Sequence, residues 1–125
     1  MTVKYFTVEE ANELLEDIEP LMGQLLETRA KVVMIRQQTG ALLDDLRVDV
    51  GGAATSAMVQ DFIRIEKFLA QIRAYGCEVK DLNGGLIDFL AKRDGRDIYL
   101  CWRYGEPHIT HYHELHTGFA GRRPL

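Results

Sequence analysis

From residue 7 to about residue 75, apolar positions recur at intervals of three and four. From residue 77 to about 115 they alternate with polar positions or fall in short blocks between turn residues. The first period is that of an amphipathic helix and the second that of a half-buried strand, so the chain is expected to be α+β. Thr7-Val8-Glu9-Glu10 has the form of a capping box, in which the Thr7 hydroxyl and the Glu10 carboxylate each accept from the other residue's backbone N–H. Ala11, Leu14, Leu15 and Ile18 continue it as an apolar stripe. Pro20 lacks the amide donor and crowds the preceding turn, which predicts that the helix ends or kinks near Glu19, giving a short N-terminal helix.

A second helix is expected from Pro20 to about residue 46, with Met22, Leu25, Leu26, Val32, Val33, Leu43 and Leu46 at helical spacing and a bend at Gly40. At 1.5 Å per residue it would be about 40 Å long. Gly51-Gly52 marks the turn within residues 47–55. The third helix carries Met58, Phe62, Ile65, Leu69 and Ile72 on one face and closes at Gly76. Two long helices joined by a short turn predict an antiparallel helical hairpin. Asn83-Gly84-Gly85, Asp94-Gly95 and Gly105-Glu106-Pro107 then punctuate four strands, at 78–82, 86–92, 97–104 and 108–114, whose short connections predict an antiparallel β-meander. Ile98, Leu100 and Trp102 share one face; Tyr99, Cys101 and Arg103 share the other. The tail, residues 116–125, has neither period and is expected to be solvated, with Phe119 as a docking anchor.

At 125 residues the chain is expected to form a single domain, spanning residues 1–125. Its 46% hydrophobic content is enough for a core without disulfides or a structural metal. A net charge of −4 argues against general nucleic-acid binding. No run approaches the roughly 18 apolar residues of a membrane-spanning helix, and the N-terminus has no signal-peptide core. Cys77 and Cys101 stand apart in apolar runs and read as buried thiols of a reducing compartment, so a cytoplasmic location is expected. The long hairpin carries more apolar surface than a small sheet covers, which makes a homodimer an expected partner state.

The dense chemistry lies between residues 108 and 116, which contain all four histidines. On a strand, His111 and His113 point to one face. Two imidazoles and a carboxylate would bind a divalent transition metal such as zinc, iron, manganese or nickel, with positions left open to polarise a substrate or activate water. Glu106, Asp88 and Asp81 are the candidate third ligands; Asp97 is a further carboxylate, and Glu114 has the wrong parity unless a bulge re-aims it. His108 and His116 are weaker ligands, since one precedes the strand and the other follows it. Three readings stay open: a metal-dependent hydrolase or small-molecule enzyme, an interaction or scaffold protein working through its hairpin with structural histidines, and a metal-free small-ligand binder using the same polar sheet face. Arg103 and Arg122 are candidates to hold a small anionic ligand, against the plainer readings of an Arg103–Glu106 pair and a solvated tail. Asp81 and Asp88 flank a turn, and either serve the site or stabilise that turn.

The segments Phe6-Thr7-Val8-Glu9-Glu10-Ala11-Asn12-Glu13-Leu14-Leu15, Glu19-Pro20-Leu21 and Val79-Lys80-Asp81-Leu82 resemble those of the domain of unknown function 2203 family. The likeness is strongest in Tyr99-Leu100-Cys101-Trp102-Arg103, His111-Tyr112-His113-Glu114 and Gly118-Phe119-Ala120-Gly121-Arg122, and it covers almost the whole chain. The resemblance implies a small bacterial cytoplasmic protein and supplies no activity. It singles out Asp81, Asp88, Trp102, Arg103, Glu106, His111, His113, Phe119 and Arg122, and leaves out His108 and His116.

Overall fold

A computed structural model describes residues 3–43 and 53–125, with side chains described for 3–37 and 56–125. Helix α1 spans Val8–Leu43 and helix α2 spans Ala53–Arg73. Strands β1 (Glu78–Asp81), β2 (Leu86–Arg93), β3 (Arg96–Arg103), β4 (His111–Glu114) and β5 (Arg123–Pro124) follow in that order. They form one antiparallel sheet in which each strand pairs with the next. The α+β class, the paired helices and the meander agree with the hydrophobic pattern.

The capping box forms as drawn. Thr7 N–H donates to Glu10 Oε1 at 2.9 Å, and Glu10 N–H donates to Thr7 Oγ1 at 3.0 Å. These bonds, the Thr7 backbone N–H first, hold the Glu10 carboxyl below the usual glutamate range. The helix break at Pro20 does not occur: α1 runs through it without interruption. Proline deprives the Glu16 carbonyl of its donor, but Glu16, Asp17, Glu19 and Pro20 all face solvent, where water replaces the lost bond. Ile18 and Met22, fully buried on the opposite face, hold the helix against the core on both sides of the proline. The predicted short first helix and the second helix are therefore one element.

Ala11, Leu15, Ile18, Met22, Leu25 and Val32 of α1 pack with Ile65, Leu69 and Ile72 of α2 and with the inner sheet face. Phe62 and Val33, expected in the apolar stripes, are 47% and 41% exposed. Each is turned about 100° from a buried neighbour, Asp61 and Val32, and that step carries it off the buried face. The turn at Gly51-Gly52 and Leu46 lie outside the described residues.

On the sheet, Ile87, Phe89, Ala91, Ile98, Leu100, Trp102 and Tyr112 face the helices. The β2–β3 hairpin turns at Asp94 (φ 52°) and Gly95 (φ 77°), the left-handed pair a two-residue hairpin needs. Phe6 N–H donates to the Leu90 carbonyl at 2.8 Å, occupying the edge of β2 beyond the end of β1, while its ring meets Phe89 edge-on at 5.2 Å. Two corrections concern the C-terminal part. Strand β4 starts at His111 rather than His108, because Ile109 instead donates its N–H to Asn12 Oδ1 of α1 at 2.7 Å. The tail, largely exposed as expected, is nevertheless tied to the sheet: β5 pairs with β4, so the sheet has five strands, not four. An open edge at β4 would leave backbone donors and acceptors unpaired, and β5 takes them up, with Leu125 N–H on the Thr110 carbonyl at 2.9 Å.

Gly85 joins the first hairpin to α1. It has φ 65°, and a Cβ there would lie 2.8 Å from Tyr104 Cβ and 3.2 Å from Leu26 Cδ1. Gly85→Ala should destabilise the fold by about 2 kcal/mol, combining left-handed strain with overpacking. A fall in the urea midpoint at unchanged slope measures it; an unshifted midpoint contradicts the close packing.

Candidate functional site

The outer face of the sheet, turned away from the helices, carries the polar partners of the core residues. Strand alternation places Asp88 outward between Ile87 and Phe89, and Cys101 outward between Leu100 and Trp102. Register sets Asp88 opposite Cys101, and Cys101 opposite His111. His113 stands opposite Tyr99 and reaches diagonally across β3, so that its Nε2 lies 2.9 Å from Asp88 Oδ2. Asp88 and His113 are each 3% exposed and Cys101 1%. One ligand atom from each of Asp88, Cys101 and His113 lies within 4.8 Å of the others. A cavity of about 130 Å³ opens above them, walled by Lys80 and Leu86 and roofed by Leu115, Gly118 and Phe119.

The hydrogen bonds give a proton inventory. His113 Nδ1 sits 2.7 Å from the Glu114 carbonyl oxygen, which only accepts, so Nδ1 carries a hydrogen. One further proton is then shared between Nε2 and the Asp88 carboxyl, either as carboxylic acid on neutral imidazole or as carboxylate on imidazolium. Burial raises the Asp88 pKa above the usual aspartate value, and His113 is the largest influence opposing that rise. Burial, followed by the charge of Asp88, pushes the Cys101 thiol up to about 12. The nearby Arg122 guanidinium only partly offsets this, so Cys101 is a neutral thiol at physiological pH and a poor nucleophile.

The other predicted residues lie outside this group. His111 shares the outer face with His113, but its Nδ1 meets the Thr110 hydroxyl at 2.8 Å and it is not among the three clustered ligand atoms. Glu106 accepts from Arg122 Nη2 at 3.0 and 3.1 Å and from the Arg103 backbone N–H at 2.6 Å. Burial raises its pKa, yet these donors outweigh burial and hold the carboxyl below the usual glutamate value. The expected Arg103–Glu106 ion pair is thus a backbone bond, and Glu106 takes Arg122 as its charged partner. The guanidinium carbons of Arg122 and Arg103 lie 4.7 and 5.8 Å from the Phe119 ring centroid, which ties the roof of the cavity to the sheet. Asp81 is exposed and accepts from the Asn83 N–H at 2.8 Å, a turn-stabilising contact. Glu114 pairs with Arg96 at 2.8 Å and Asp97 with Lys92 at 2.7 Å. His108 and His116 are exposed.

Sequence reasoning passed over Cys101 as a ligand. Its outward parity with Tyr99 and Arg103 was the available signal, masked by the apolar residues on either side. The roof residues Leu115 and Gly118 had no signal, since their placement follows from the docking of the tail.

The fold and site define a helical hairpin laid on an antiparallel meander, with a buried carboxylate–thiol–imidazole group on the far face of the sheet. The family model described as uncharacterized conserved protein, DUF2203, matches residues 4–125, and the chain belongs to that family. No curated protein and no solved structure matches it. Among the described residues, no helix is long and apolar enough to cross a membrane.

Because the Asp88 pKa is raised in the folded state, the native chain binds more protons than the unfolded one above the ordinary carboxylate range. The Asp88 contribution to stability therefore falls as pH rises. His113→Ala, studied with chelator present, removes the main opposing group and should cost about 3 kcal/mol at pH 8. The loss should be smaller at pH 5, where the carboxyl can take up a proton. Adding Asp88→Asn should abolish the difference between the two pH values. Denaturant unfolding at both checks this; an equal loss at each would mean that the carboxylate is not the group left unpaired.

Proposed function

We propose that this chain binds a divalent transition metal through Asp88, Cys101 and His113, at the floor of the outer cavity, and handles a small molecule there. The observation that carries this reading is the clustering of one oxygen, one sulfur and one nitrogen donor, all buried, within 4.8 Å of one another. The Nδ1–H bond to the Glu114 carbonyl supports it, since it fixes the imidazole and directs Nε2 into the cluster, as outer-shell acceptors do for metal-bound histidines. A metal would displace the proton shared by Asp88 and His113 and the proton held by Cys101. The thiolate favours zinc or iron over manganese in this donor set.

Three protein ligands leave a coordination position open, the pattern of catalytic rather than closed structural sites. The cavity of about 130 Å³ holds roughly four waters or a small ligand. Lys80 lines its wall with its ammonium paired to Glu78 at 2.7 Å. When bound, the metal would polarise that ligand or activate water, which makes a hydrolase or other small-molecule enzyme the preferred class. The alternative is an interaction protein with structural histidines, favoured by the 2.9 Å bond through which Asp88 and His113 satisfy each other.

Protein purified without a histidine tag should carry, or take up from zinc or cobalt, about one metal per chain. Cobalt-loaded protein should show a sulfur-to-metal charge-transfer absorption. Cys101→Ala and His113→Ala should each lose most of the metal and His111→Ala should retain it, as read by elemental analysis. Wild-type protein that takes up neither metal in stoichiometric amount favours the interaction reading and overturns this one.

A further inference from the structure

Helix α2 has a second apolar face, opposite the one that packs in the core. Val59, Phe62 and Ile63 are 49%, 47% and 46% exposed, while Asp61, Ile65, Leu69 and Ile72 are buried. At 100° per residue, Val59, Ile63, Glu66, Lys67, Ala70 and Ala74 fall within one stripe about 100° wide, centred roughly half a turn from the buried set. All six are exposed. Ala74 continues the helical hydrogen bonding, with its N–H on the Ala70 carbonyl at 3.0 Å. A groove of about 390 Å³ runs along the same surface, lined by Phe62, Ile63, Glu66, Lys67 and Ala70.

The order of residues along this stripe is symmetric about the Glu66–Lys67 bond. Reading outward from that point in either direction, the chain meets one charge, then a position three residues further, then one four residues beyond that. One arm holds Glu66, Ile63 and Val59; the other holds Lys67, Ala70 and Ala74. The two arms differ in the two ways that make them complementary. They carry opposite charges at the centre, and large aliphatic side chains on one stand against alanines on the other.

We propose that α2 pairs with α2 of a second copy of this chain in an antiparallel, two-fold dimer centred between Glu66 and Lys67. In that arrangement Glu66 of each copy meets Lys67 of the other, and Ile63 and Val59 of each copy lie over Ala70 and Ala74 of the other. The small residues let the helix backbones approach, and the groove beside Ala70 accepts Ile63. A parallel pairing would set Glu66 against Glu66 and Lys67 against Lys67, which the charges oppose. The same surface patch serves both partners, as a two-fold axis requires. An interface of one helix face lies at the small end of the range for specific association, so the dimer is reversible and concentration-dependent.

Sedimentation of the full chain across a concentration series, with helix content checked by circular dichroism, tests the pairing. Wild-type protein should shift from monomer to dimer. Glu66→Lys and Lys67→Glu should each weaken the dimer by at least about tenfold, because each places like charges across the axis. The double exchange Glu66→Lys/Lys67→Glu should restore it, since the pairing rule is unchanged. Ala70→Arg should abolish it by filling the groove. A wild-type chain that stays monomeric, or a double exchange that behaves like the single ones, overturns the proposal and leaves the face to a different partner.

Discussion

The register between β2 and β3, with Asp88 opposite Cys101 and Ile87 opposite Trp102, is the constraint on which both faces of the sheet depend. Side chains alternate along each strand, so a shift of one residue would turn Trp102 and Leu100 to solvent and bury Arg103 and Tyr99 against α1 and α2. The two-residue turn at Asp94-Gly95 starts the ladder in the correct place, and the full burial of Trp102, Phe89 and Ile87 makes any other pairing costly. The polar cluster is the other side of that alternation. Asp88 and Cys101 occupy its centre because the residues on either side of each belong to the core.

The cluster is buried on a face that the helices do not cover, and the tail is the reason. Residues 115–125 turn back over β3 and β4, form a 3-10 turn at Phe119–Gly121 and add β5 to the sheet edge. Arg122 anchors the return through Glu106 and the Phe119 ring. A carboxyl with a raised pKa and a thiol raised to about 12 follow from that burial, and the neighbouring Glu114 carbonyl fixes one hydrogen on the imidazole. Each of these groups is poorly suited to stand alone in such surroundings, and each is of a type that ligates metals once its proton is displaced.

The two ends of the molecule carry different kinds of surface. The sheet end has the enclosed polar cavity. The hairpin end leaves apolar side chains of α2 in solvent, symmetric about a pair of opposite charges. The proposed metal site and the proposed pairing face stand on different elements, and none of the described side chains of α2 lines the cavity.

Much of this was legible in residue order. Period alone separates the helices from the strands, the capping box marks the start of α1, and Asp94-Gly95 marks a hairpin. Parity puts Tyr99, Cys101 and Arg103 on one face of β3, and His111 and His113 on one face of β4. These features are local: each depends on residues within a few positions of one another. Pro20 shows where local rules fail, since the core contacts of Ile18 and Met22 override the break it favours. The choice of Asp88 as the partner of His113, the separation of His111 from it, and the engagement of Glu106 by Arg122 were settled only by the tertiary structure. They depend on how strands distant in sequence are set side by side and on where the tail folds back, and a one-dimensional pattern carries no distances between such segments.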